Sequence, residues 1–297
     1  MLNPTVAPEM LTTNAPEMLL GMALACSRLA AAPDEWPTEA RLVIPVANSL
    51  LAGGHPDRAE LLARWSTLPC VTGSRRATVT DRALELARGG QPPAAVADAA
   101  GRLTTRPELD PPLLRTIPFA IGCLGQGFLL RMWVNEATSA THSDDLSRLA
   151  AVAAARLAQD LLTRSLEDAL ARTAQALRED APESLIRALR PLGPGEAVPS
   201  GDDAIGILAA TVQALSQSRD WDEAVAAASS RGADQDQAVI LTGALAGAIW
   251  GTGTRTDGLS PVISSSLRSL ALDLVAFSHQ HALDPLPPIG IQPLTGR

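Results

Sequence analysis

The segment GADQDQAVILTGALAGAIWG, residues 232–251, limits what this chain can fold into more than any other. From Ala238 to Trp250 it carries no charge, and Gly243, Gly247 and Gly251 recur every fourth residue. That spacing puts the glycines on one face of a helix. A helix apolar on all sides has to be buried, and a glycine stripe lets a second helix approach it closely. The run falls short of the roughly 20 apolar residues a bilayer span requires, so it reads as a core helix. Asp234 and Asp236, each followed by a glutamine, stand at its entrance. Carboxylates there stabilise the exposed N–H groups of the first turn and the positive end of the helix dipole. They are also of the type that holds a hard cation.

The rest of the chain repeats the helical texture. APEMLLGMALACSRLAAA (15–32) reads as a helix with Pro16 in its first turn, preceded by a loose tail over 1–14. TEARLVIPVANSLLAGG (38–54) reads as a helix with a kink at Pro45 and a stop at Gly53-Gly54. HPDRAELLARWS presents Leu61, Leu62 and Trp65 on one face. SDDLSRLAAVAAARLAQDLLTRS (143–165) is a long amphipathic helix capped by Ser143 or Asp144. LGPGEAVPSGDD (192–203) is the clearest loop. No run alternates β-branched residues as a strand does, and no solenoid period recurs. The expectation is an all-α fold: one domain over 15–283, followed by a Pro-rich tail over 284–297.

Composition narrows the function. The net charge of −8 argues against nucleic acid or an anionic membrane as partner. All 24 basic residues are Arg and there is no Tyr, which fits a GC-rich bacterial coding bias. Cys26, Cys70 and Cys123 are odd in number and lack CxxC spacing, which is expected of small buried thiols in a cytoplasmic protein. No GxSxG, P-loop, HExxH or dinucleotide fingerprint occurs.

Several segments resemble the ADP-ribosylglycohydrolase family, in order, over roughly residues 15–275. DWDEAV followed by GADQDQAVILTGALAGAIWG is similar to that family's short acidic helix, its GGDTDT motif and the GALAGA helix behind it. DGLSPVI resembles its GxxxIP segment, LLRTIPFAIGC its xMRxAPLG segment and ATSATHSDDLSRLAAVAAARL its TH-containing helix start. LVIPVANSLLAGGHPDRAELLARW resembles the helix that follows its TDDT motif. The resemblance implies an all-α orthogonal bundle that cleaves the N- or O-glycosidic bond between ADP-ribose and an acceptor. It also implies two divalent cations, usually Mg²⁺, between the TDD and DxDT motifs. The metal positions it maps onto this chain are Thr38, Glu39, Asp234, Asp236 and Gln237, and the ligand contacts are His142, Asp110, Arg115 and Gly232.

The sequence departs from the family at those positions. TDDT is replaced by Pro37, Thr38, Glu39 and Ala40. GDALG falls on Ser27–Ala31, with Arg28 at an acidic place. The loop that should follow is cut to Ala32–Trp36. The family's GNG becomes Leu109, Asp110 and Pro111, and Gln235 and Gln237 replace both threonines of DTDT. Three carboxylates remain: Glu39, Asp234 and Asp236. Two dications roughly 3.5–4 Å apart need more negative charge than that.

The leading expectation is therefore a non-enzymatic member with no cofactor, binding an ADP-ribose- or nucleotide-like molecule or a protein partner. The alternatives are a hydrolase working with Glu39, Asp234 and Asp236 and one Mg²⁺ or none, and a biosynthetic enzyme with new chemistry in the old pocket. Gln237 is expected as a solvent-facing first-turn residue unless it ligates. The His279–His281 pair is a further candidate for metal, and Arg75-Arg76 for an anion.

Overall fold

The computed structural model describes residues 8–30, 36–68, 78–106, 109, 111–193, 196, 199, 203–230, 236–253 and 258–281. Among them every regular element is helical; the one β contact is an isolated bridge between Leu109 and Asp203. No described helix is long and apolar enough to cross a membrane.

The glycine-striped segment forms α14 (Asp236–Trp250) and lies against α1 (Pro8–Leu29). Side chains at the contact would collide with backbone. A Cβ on Gly21 would lie 2.2 Å from the Gly243 carbonyl oxygen, and one on Gly247 would lie 2.1 Å from that of Glu17. The Trp221 indole N–H donates to the Gly243 carbonyl at 2.9 Å, so the seam also carries a buried hydrogen bond. Gly251 plays a different part from the packing role its spacing suggests. Its φ of 72° and its N–H bond to the Gly247 carbonyl at 2.9 Å end the helix. Just beyond, Glu17 accepts from the Thr252 amide at 2.7 Å and from Arg268 at 3.0 Å, tying α1 to α15 (Pro261–His281).

The first helix starts earlier than its sequence suggests. Residues 8–14, expected as a tail, are helical, and Pro16 lies inside the helix. Leu11 is buried and the Asn14 amide donates to the Leu162 carbonyl at 3.0 Å, so this turn is held by tertiary contacts. The Thr12 and Thr13 hydroxyls both donate to the Glu9 carbonyl. Pro45 acts as expected on the next segment. It has no N–H to give the Arg41 carbonyl, and the helix divides at Leu42 into α2 (Thr38–Arg41) and α3 (Val43–Gly53), ending at left-handed Gly54.

The middle of the chain supplies α4 (Arg58–Ser66), α5 (Val79–Arg88), α6 (Pro93–Leu103), a 3-10 turn (Leu114–Thr116) and α7 (Ile117–Gly122). After them come α8 (Gly127–Ser139), α9 (Asp145–Leu161), α10 (Leu166–Leu177), α11 (Glu183–Ala188), α12 (Ala204–Gln217) and α13 (Trp221–Ser229). Six of these helices open on a capping Asp, Thr or Ser whose side chain accepts a first-turn N–H: Asp57, Thr78, Asp144, Ser165, Asp203 and Asp220. Of the two residues expected to cap α9, Asp144 does so. Residues 150–155 of α9 are all buried, and the helix packs against α7, α8, α10 and α12.

Candidate functional site

The short α2 owes its position to its one charged buried residue. Glu39 is 1 % exposed and Arg115, on the 3-10 turn, is fully buried. Arg115 Nε donates to Glu39 Oε2 at 2.8 Å, and its Nη2 pairs with Oε1. The same Nη2 donates to the Thr80 hydroxyl at 2.7 Å, and that hydroxyl donates to Glu39 Oε1 at 2.6 Å. Arg115 Nη1 donates to the Thr141 hydroxyl at 2.9 Å, which stands 2.8 Å from His142 Nδ1. That hydroxyl has a second lone pair and one proton, so it can pair with either tautomer of the imidazole. The guanidinium carbon lies 4.9 Å from the centre of the buried Trp65 ring. A charge this deep persists only when paired and hydrogen-bonded, and this pair is both.

The remaining expected site residues are distributed around this network. The Thr38 hydroxyl donates to Asp81 at 2.7 Å, and Asp81 also closes the capping box of α5 with Thr78. Asp236 is exposed at the start of α14. Burial, with the Asp236 charge adding to it, pushes the Cys26 thiol well above its ordinary range. Gln237 is 5 % exposed, contrary to the solvent-facing position expected of it; every residue of α14 from Gln237 to Ala248 is buried. Arg28 pairs with Asp222 and lies 4.5 Å over the Trp221 ring, so its charge is answered on α13. Gly232, Asp234, Gln235 and Asp110 lie outside the described residues, as do Arg75, Arg76 and Cys70. His279 is exposed, whereas His281 stacks on Phe277 at 3.9 Å; two residues apart on one helix, they face different sides.

Thr80, Thr141, Trp65 and Asp81 carry roles that their local sequence does not announce. Thr141 precedes His142 in the TH pair, and Thr80 is a hydroxyl at the buried start of an otherwise apolar face. Both signals are weak before residues 39, 80, 115 and 141 are known to meet.

Of the donors that the resemblance assigns to a pair of dications, Glu39 and Thr38 are engaged elsewhere, while Asp234 lies outside the described residues. Both oxygens of Glu39 are taken by the guanidinium, and Thr38 is turned toward Asp81. Among the described residues no three His, Cys, Asp or Glu side chains converge as a metal site. The network is a buried, hydrogen-bonded ion pair that joins α2, α5, the 3-10 turn and the α8–α9 loop.

A family model described as ADP-ribosylglycohydrolase matches residues 6–279. A solved structure described as an ADP-ribosylglycohydrolase-related protein complex superposes with a TM-score of 0.71 at 23 % identity, covering 91 % of this chain and 99 % of that one. At that identity the likeness speaks for the fold alone. No curated protein matches the chain.

Proposed function

The chain belongs to the ADP-ribosylglycohydrolase family, and we propose that it is a member that binds without hydrolysing. Its ligand is an ADP-ribose- or nucleotide-like small molecule, with a protein partner as the other candidate. The observation that carries this reading is the closure of Glu39 onto Arg115. Arg115 matches the arginine of the family's MR segment, so the cation itself belongs to the scaffold. What is particular to this chain is how little negative charge stands opposite it. Thr38 occupies the first aspartate position and Glu39 is neutralised. Asp236 is the only acid of the expected metal set left exposed among the described residues.

Asp236 also favours the second reading, a hydrolase working with a reduced site. It stands at the start of α14, where that reading needs an acid. Thermal unfolding with ADP-ribose, in Mg²⁺ and in EDTA, separates the two readings. Non-hydrolytic binding predicts the same rise in Tm in both buffers and no release of ADP-ribose from an ADP-ribosylated protein. A rise confined to Mg²⁺, or any metal-dependent release, overturns it. No rise in either buffer removes the small molecule and leaves the protein partner.

A further inference from the structure

At the C-terminal end of α9, three arginines surround one aspartate. Asp160 is 7 % exposed and receives Arg156 Nε at 2.9 Å, Arg164 Nε at 3.4 Å and Arg172 Nε at 3.4 Å. Positions 156, 160 and 164 form one stripe along α9 and its exit, and Arg172 reaches across from α10. Three guanidiniums against one carboxylate leave a surplus of two positive charges, in a chain whose net charge is −8. Among the described residues no ion pair joins these arginines to Glu167 or Asp168, the acids in the first turn of α10.

The two hydrogen bonds to Asp160 come from the Nε atoms of Arg156 and Arg172. Among the described residues no hydrogen bond engages the terminal nitrogens of the three guanidiniums. Arg164 Nε is itself buried, and it makes no hydrogen bond despite its place beside Asp160. The C-terminal end of α9 partly offsets this charge, and the start of α8 adds to it. The Arg156 guanidinium lies against Gly127, where a Cβ would come 2.3 Å from its Nη1. Gly127 is the first residue of α8, whose N-terminus has no side-chain cap and no acid in its first turn. A guanidinium at the positive end of a helix dipole is repelled unless an anion joins them. The preceding residue, Gln126, has a buried side-chain nitrogen with no hydrogen-bond partner.

We propose that Arg156, Arg164, Arg172 and the start of α8 form a binding site for a phosphate-type dianion. Such an anion balances the surplus charge and accepts from the unused guanidinium nitrogens in the forked geometry that arginine offers to phosphate. The site is distinct from the Arg115 network: Asp145 and Asp160 stand at opposite ends of α9, about 22 Å apart at 1.5 Å per residue.

The test is calorimetric titration of the full chain with inorganic phosphate and pyrophosphate, against sodium chloride at matched ionic strength. Binding of either phosphate beyond the chloride control is expected. It should weaken by about tenfold or more in the Arg164→Gln/Arg172→Gln variant, the scale of losing a charged hydrogen bond. Both side chains are partly exposed, so the variant should fold, and its melting temperature checks that. Backbone amide shifts at 127–130 provide the second readout. Binding no stronger than chloride, binding unchanged in the double variant, or phosphate-induced shifts that spare 127–130 each overturn the proposal.

Discussion

The α1–α14 seam and the Arg115 network are both fully buried, yet they are held in opposite ways. At the seam, Gly21, Gly243 and Gly247 remove side chains so that two backbones touch, and the contact is almost wholly dispersion and exclusion of water. In the network, Glu39, Thr80, Arg115 and Thr141 come from four separate segments, and each polar atom is answered by another. The seam fails when an atom is added; the network fails when a partner is removed. An ion pair of this kind adds little net stability over an apolar replacement, but it demands that its members meet.

The largest effect should follow from breaking one half of the pair. Arg115→Met leaves Glu39 buried without its cation, and urea unfolding should record a loss of about 3–5 kcal/mol. Removing both charges with Glu39→Leu/Arg115→Met should cost much less than the two single changes added together. Additive losses would show that the two side chains contribute separately. At the seam, Gly247→Ala forces a methyl against the Glu17 carbonyl, and a loss of about 1–3 kcal/mol is expected in the same assay. A neutral result there would mean that α1 and α14 slide apart without cost.

Gly251→Ala separates the third glycine from the other two. Its positive φ predicts a loss of about 1 kcal/mol from strain, with no change in α1–α14 packing. Near-ultraviolet circular dichroism from Trp221, bonded to Gly243, should change for Gly247→Ala and stay constant for Gly251→Ala.

The smallest effect concerns the thiols. Burial pushes both Cys26 and Cys123 up from an ordinary value of 9.0. The folded chain therefore keeps its thiol protons where the unfolded chain loses them. The sign is a stability that is intact below pH 9 and declines as pH rises above it. Alkylation of these two cysteines should track global unfolding; rapid native-state labelling would contradict their burial.

The same contrast explains what the sequence discloses. Glycines at 243 and 247, Pro45 dividing a helix and Asp144 capping another are local signals, each readable within one or two turns. The position of Gly251 at a helix end needed the backbone angle, because spacing alone treats it like its neighbours. The network was legible only in part. Glu39 and Arg115 stand out through the family resemblance, but nothing in a linear reading joins residue 39 to 115, or Thr80 to both. The early start of α1 was hidden because Leu11 and Asn14 gain their partners only from distant segments.

Magnesium stoichiometry tests the account most directly. Calorimetric titration of the unmodified chain with Mg²⁺, with and without ADP-ribose, should give no saturable binding of a metal pair, because Glu39 is held by Arg115. Two ions bound per chain, with an affinity that ADP-ribose increases, would contradict it.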